Sequence, residues 1–224
     1  CSGCFAGLGG QTAAAGGGAT SAARQKNPPA FQDFTLGAIS LRLETWPGFR
    51  VGGELWPSGA ILAHALAEGL CELPEVAGRC VLELGAGPGL PGLVCGAMGA
   101  WEVVITDREE LVPLLQRNIE HNELSGVCRA ETLDWELARD SPLAAAKRQA
   151  IGPWDVILGA DVVYFEEQDP LIDVMLALMT PGVTTLVLAY RERTSADRSY
   201  LDSVILPKLD VHRIDVSSER GDCE

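Results

Sequence analysis

The chain has 224 residues, 47% of them apolar and 21% charged, a balance that suits one globular domain with a sizeable buried core. Lys and Arg number 17 against 31 Asp and Glu, a net charge of −14. Such a surface repels phosphate backbones, so a nucleic-acid partner is not expected, whereas basic protein partners are attracted. Seven cysteines, odd in number and scattered, are the usage of a reduced, intracellular protein.

Residues 1–30 are rich in Gly, Ala and Ser, carry Arg24 and Lys26 as their charges, and show no periodicity. They read as a disordered tail. Cys1 to Ala23 is uncharged but too glycine-rich for a membrane span, and it lacks the apolar centre of a secretory signal. No membrane partner is expected. The location expected is cytoplasmic, with an organelle as the alternative if this acid-free tail belongs to a transit peptide. The chain opens without Met and reads as a fragment or a processed form. Cys1-x-x-Cys4 has no second pair after it, and His64, His121 and His212 lie far apart, so no metal site is legible.

Residues 31–224 read as a single domain. In 34–56, Ile39, Leu41 and Leu43 alternate with Ser40, Arg42 and Glu44, and Pro47-Gly48 supplies a turn, which predicts a small antiparallel β element. The core is expected over 57–216. Pro57-Ser58-Gly59 opens a helix whose apolar stripe is Ile61, Leu62, Ala65, Leu66 and Leu70. Strands are then predicted at Val81 to Leu84, Glu102 to Thr106, Val127 to Leu133, Trp154 to Ala160, Thr184 to Tyr190 and Asp210 to Val216. Helices are predicted at Leu90 to Met98, Arg108 to Asn122, Leu171 to Met179 and Ala196 to Leu206, with a loop or short helix at Pro142 to Gln149. Strands that are apolar on both faces and alternate with helices imply an α/β, Rossmann-like doubly wound, mostly parallel sheet with helices on both faces.

The segment Cys80 to Asp107 carries the clearest chemistry. After the strand, Gly85, Gly87 and Gly89 let the backbone turn tightly and come close to a ligand. Asp107 ends the next strand, where a nucleotide-binding crossover places a carboxylate that accepts hydrogen bonds from ribose hydroxyls. A nicotinamide enzyme uses the same motif but needs a second nucleotide-binding half and a substrate domain, for which the chain is too short. Glu83, two positions before Gly85, completes Glu-x-Gly-x-Gly-x-Gly.

From Leu55 to about Tyr200 the chain resembles the class I, seven-β-strand S-adenosylmethionine-dependent methyltransferases, and within them methyltransferase family 16. The resemblance rests on Glu83 to Leu90, Trp56 before the first helix, Asn118 to Asn122, Asp134-Trp135 after the third strand and Asp161 to Tyr164 after the fourth. Its wording is similar to that of the protein-lysine methyltransferases of the methyltransferase-like protein 21 group. The departure is at the C-terminus, where the family continues into a seventh, antiparallel strand and Ser217 to Glu224 is polar.

The resemblance implies S-adenosylmethionine as cofactor and a lysine-containing protein substrate. It places Glu83, Gly85 and Gly87, with Gly89, at the methionine end of the cofactor, Asp107 on its ribose, and Asp134 and Trp135 at its adenine. Trp56 would close over the cofactor, and Ala160, the last residue of the fourth strand, borders the same site. Asp161 and Tyr164 are the expected catalytic residues: a carboxylate to hold and orient the lysine ammonium, and a ring to line its channel. The competing reading has Asp161 capping the next helix and Tyr164 filling the core. Tyr190 to Arg193 reads equally as substrate-contacting loop or exposed basic cluster. Two alternatives to lysine methylation stay open, another acceptor (protein histidine or a small molecule) and a non-catalytic cofactor-binding module.

Overall fold

The computed structural model describes residues 27–70, 72–136, 153–163, 169–212 and 214. Tyr164, the Pro142 to Gln149 segment and the N-terminal tail up to residue 26 lie outside the described residues.

Two strands, β1 (Ala30–Leu36) and β2 (Ile39–Thr45), form an antiparallel hairpin across a turn at Gly37-Ala38. The hairpin therefore begins earlier than the alternation of Ile39, Leu41 and Leu43 suggested. Most of β1 is exposed, so it carries no apolar rhythm from which it can be read. Helix α1 (Pro57–Glu68) starts on Pro57, whose fixed φ suits the first turn, and stops at Gly69 in the left-handed conformation.

The core sheet contains β3 (Cys80–Leu84), β4 (Glu102–Asp107), β5 (Cys128–Thr132), β6 (Val156–Ala160) and β7 (Thr185–Ala189). Its order is β5-β4-β3-β6-β7 and every pairing is parallel. The helices are α2 (Leu90–Ala97), α3 (Val112–His121), α4 (Asp169–Leu178) and α5 (Ser195–Tyr200). A π turn over Leu201–Ile205 continues α5, and Pro207 sits in the 3-10 turn that follows. The order of strands reverses direction at β3 and β6, so a ligand crevice is expected beyond their carboxyl ends.

Alternating strand residues feed two apolar layers. Val81, Val103, Ile105, Val156 and Leu158 meet Leu62 and Leu66 of α1, Leu93 and Val94 of α2, and Leu115 and Ile119 of α3. Leu82, Leu84, Val104 and Ile157 meet Leu171, Ile172, Met175 and Leu178 of α4, with Leu201 and Ile205. The doubly wound α/β expectation is met. Of the predicted last strand, Asp210, Val211, His212 and Ile214 are outside any strand, and Arg213, Asp215 and Val216 lie outside the described residues. Asp210 to His212 are exposed, and a run with no apolar face to bury has nothing to hold it at a sheet edge.

Two asparagines bind the hairpin to α3. Asn118 and Asn122 lie one turn apart, and each accepts from and donates to the backbone of β2, Asn118 at Glu44 and Asn122 at Arg42. They stand in for a missing neighbouring strand. Asn118 also donates to the Pro88 carbonyl at 2.9 Å, linking hairpin and glycine loop. The buried Glu44 carboxylate takes Arg117 Nε and Nη2 at 3.0 to 3.2 Å and the Trp46 indole N–H at 2.9 Å. Burial alone would raise this carboxyl, but its bonds to Arg117, Trp46 and His121 hold it below the ordinary value.

Candidate active site

The glycine loop joins β3 to α2 and is held by hydrogen bonds to strand carbonyls and carboxylates. The Ala86 N–H donates to the Thr106 carbonyl, the Gly87 N–H to Asp107 Oδ2 at 2.8 Å, and the Gly92 N–H to Glu83 Oε2 at 2.9 Å. Asp107 Oδ1 accepts from the Arg108 N–H. Each carboxylate oxygen of Asp107 keeps a second acceptor site. At Gly85 (φ +59) a Cβ would stand 2.9 Å from both the Trp135 ring and Val162. At Gly87 (φ +55) it would meet the Gly52 carbonyl at 3.1 Å. The first two glycines therefore serve both conformation and clearance. Gly89 faces elsewhere, toward Leu115 and Ile105, and does not border the cleft.

A cleft of about 720 Å³ opens beyond the carboxyl ends of β3, β4 and β6. It brings together Trp56, Glu83, Gly85, Gly87, Asp107, Asp134, Trp135, Ala160 and Asp161, nine of the eleven residues expected from sequence. The segment between β2 and α1 supplies a wall that the sequence did not disclose, with Val51, Gly52 and Glu54 on the cleft. This segment is pinned by the Trp56 indole N–H on the Val51 carbonyl at 2.8 Å and by Glu54 accepting from the Gly48 N–H. The paired glycines Gly52-Gly53 were its one legible signal.

Acids dominate the floor. Burial pushes the Glu83 carboxyl up to about 8, against the lowering effect of the Gly92 N–H, and nearby Asp107 adds to the rise. Burial likewise raises Asp107, opposed by the N–H groups of Gly87 and Arg108. Asp134 Oδ1 accepts from the Glu136 N–H, a local turn that presents Trp135 to the glycine loop.

Asp161 follows β6 directly, is 6% exposed, and has φ +54. A non-glycine residue held in that region costs of order 1 kcal/mol and is found where the surroundings require it. Its Oδ2 accepts from the Ser58 N–H in the first turn of α1 at 3.0 Å. Asp161 thus caps a helix, but one 103 positions earlier rather than the next one. Its Oδ1 lies 2.7 Å from Arg193 Nη2, out of line for a hydrogen bond, and has no hydrogen-bond donor. The Arg193 guanidinium also lies 5.4 Å from the centre of the Trp56 ring.

Residues 38–206 match the family model described as lysine methyltransferase. The chain is 33% identical over 189 residues to the protein N-lysine methyltransferase METTL21A of Danio rerio, covering 84% of this chain and 83% of that protein. It is 32% identical over 170 residues to the protein-lysine N-methyltransferase EFM6 of Saccharomyces cerevisiae, covering 68% and 69%. Among solved structures, the T. thermophilus 16S rRNA N2 G1207 methyltransferase RsmC in complex with AdoMet and guanosine superposes with TM-score 0.51 at 27% identity. The match covers 70% of this chain and 41% of that one. A methyltransferase complexed with SAH superposes with TM-score 0.55 at 14% identity, covering 85% and 50%, and shares the fold. A family match across most of the folded chain, two relatives above 30% identity and a common architecture agree: the chain belongs to the lysine methyltransferase family.

Proposed function

We propose that the protein is an S-adenosylmethionine-dependent protein-lysine N-methyltransferase whose acceptor reaches the cofactor beside Asp161. The observation that carries this reading is the buried Asp161 carboxylate, left without a hydrogen bond at Oδ1, in the same cleft as the glycine loop. The cleft fits the cofactor. Buried acids Glu83 and Asp107 suit a ligand that brings positive charge and hydroxyl donors, and Gly85 and Gly87 leave no side chain in its way. When bound, S-adenosylmethionine supplies an electrophilic methyl group on a sulfonium.

Glu83 would hold the amino-acid end, Asp107 the ribose hydroxyls through its free acceptor sites, and Trp135 with Asp134 the adenine. Asp161 would receive the lysine ammonium, fix its direction, and keep hold of the nitrogen as its proton passes to water at the cleft mouth. Trp56 and the 51–54 segment border the cleft and confine the lysine stem, so the amine, once its proton has left, is held aligned. Most of the acceleration then comes from positioning. Free thiols at Cys80, Cys95 and Cys128 support a reducing, cytoplasmic setting. No helix among the described residues is long and apolar enough to cross a membrane.

Incubation with radiolabelled S-adenosylmethionine and a cell lysate tests the reading. A labelled protein band that yields methyl-lysine on acid hydrolysis is expected. Methyl-histidine, or label confined to small solutes, would overturn the acceptor assignment.

Glu83 gives the site a pH signature. In the ligand-free fold it keeps its proton up to about 8, whereas the unfolded chain gives it up near 4.5. The ligand-free protein therefore loses stability as pH rises from the lower value through the higher one. A ligand ammonium beside Glu83 favours the ionised carboxylate, so binding expels a proton. S-adenosylhomocysteine affinity should rise by up to about tenfold per pH unit below pH ~8, and Glu83→Gln should flatten the rise. Calorimetry in two buffers of different ionisation heat reads the proton directly; equal heats would remove Glu83 from the amino-acid end.

A further inference from the structure

We propose that Arg193 is an internal stand-in for the acceptor cation: its guanidinium occupies Asp161 and the Trp56 face until a lysine ammonium displaces it. The proposal rests on the reading that the acceptor is a lysine, and deepens it by assigning a residue that filters what enters. Three features of the cleft support it.

Asp161 is buried while Arg193 is reached by solvent, with side-chain exposures of 2% and 26%. A carboxylate sealed at the base of a cleft is costly unless a cation neutralises it, and Arg193 supplies that charge from a loop. The pairing is also imperfect. Nη2 is 2.7 Å from Oδ1, yet the angle leaves Oδ1 without a hydrogen bond. A flat guanidinium donates only in its own plane, whereas an ammonium presents three donors around a flexible stem. Lysine can make the bond that Arg193 misses, so exchange gains a hydrogen bond and leaves the charge at Asp161 unchanged. The Trp56 ring, moreover, stands where a second cation contact is available, since the guanidinium lies 5.4 Å from its centre.

The other cleft arginines do not share this arrangement. Arg50 and Arg108 both approach Glu110, at 3.5 and 3.8 Å, on the outer rim. Arg193 belongs to the irregular segment after β7, between Ala189 and the start of α5 at Ser195, a position that allows a side chain to swing without moving the sheet. Neighbouring Glu192 is paired with Arg198 at 3.5 Å, and offers the displaced arginine a carboxylate close by.

The consequence is a selection rule. A neutral side chain cannot displace Arg193 on entry without leaving Asp161 an uncompensated buried charge, so uncharged groups are refused at entry, whereas a lysine enters as the ammonium and gives up its proton only once seated. Arg193 acts through Asp161 and Trp56 and is a positioning residue.

The test uses small cations, so that it does not depend on the identity of the substrate. With the protein saturated in S-adenosylhomocysteine, binding of n-butylammonium and of n-butanol is measured by calorimetry or NMR titration. Arg193→Ala should bind n-butylammonium about tenfold more tightly than the unmodified protein, because no resident cation competes. Arg193→Lys should restore the weaker binding, n-butanol should not distinguish the variants, and adding Asp161→Asn to Arg193→Ala should remove the gain. Unchanged S-adenosylhomocysteine affinity verifies that each variant is folded, and Arg193→Gln serves if the alanine variant is not. Equal n-butylammonium affinity with and without Arg193, or a gain shared by n-butanol, would overturn the proposal. If the labelled product proves not to be lysine while the n-butylammonium result holds, it is the acceptor assignment that fails.

Discussion

Asp161→Asn is expected to lower methyl transfer by about 100-fold or more, while S-adenosylhomocysteine affinity stays within about twofold. The asparagine is chosen because the carboxylate has two separable duties. Oδ2 accepts the Ser58 N–H and so anchors the start of α1 to the end of β6; a carboxamide oxygen can accept the same bond. Oδ1 carries the charge that Arg193 approaches, and the carboxamide cannot supply it. The variant therefore keeps the helix anchor and removes the anion. An alanine would remove both, and a loss of activity would then say little, since an uncapped helix end destabilises by about 1 kcal/mol on its own. Initial rates with labelled cofactor, set beside calorimetric affinity and a thermal melt, separate the two. Turnover at the unmodified rate with saturating substrate would exclude Asp161 from the acceptor site.

Gly85→Ala should weaken S-adenosylhomocysteine binding by about 100-fold, a loss near 3 kcal/mol. Two effects act together. Alanine at φ +59 is strained by about 1 to 2 kcal/mol. Its methyl group would also stand 2.9 Å from the Trp135 ring and from Val162, and neither can retreat freely. Val162 is 3% exposed in the layer under α4, so the indole must swing into the cleft. The control is Gly99→Ala, at φ +87 with nothing within 4 Å of the added carbon. It shares the backbone strain without the collision and lies away from the cleft. Both variants should melt earlier than the parent, but the Gly99 variant alone should keep the shift in melting temperature produced by ligand. A Gly85 variant that binds normally would show that Trp135 yields without closing the site.

The helices and strands that could be read from sequence were those with local signals. β6 is a continuous apolar run and β3 one interrupted by Glu83, α1 begins at a proline and ends at a glycine, and the glycine loop announces its own turns. β1 could not be read, because most of its residues face solvent and its partner is set by pairing with β2. The alternation that begins at Asp210 makes no strand over Asp210 to His212, which are exposed, because a period of two without a buried face describes any extended chain. Gly89 was grouped with Gly85 and Gly87 by motif spacing, yet its Cβ position faces Ile105 and Leu115. In that loop the third glycine lets the helix approach the sheet, while the first two border the cleft.

The amino-acid sequence determined by itself the approximate bounds of the core strands, the place of the glycine turns and the spacing from Gly85 to Asp107, because each is written in a run of neighbouring residues. Tertiary structure alone decided what Asp161 meets. Its partners come from Ser58, 103 positions before it, and from Arg193 in the loop after β7. They converge because β6 lies between β3 and β7 in the sheet, which brings the start of α1 and the end of β7 to one carboxyl edge. No local pattern encodes that meeting. It follows from the burial of two apolar faces, and it is what aims an otherwise ordinary aspartate into the cleft.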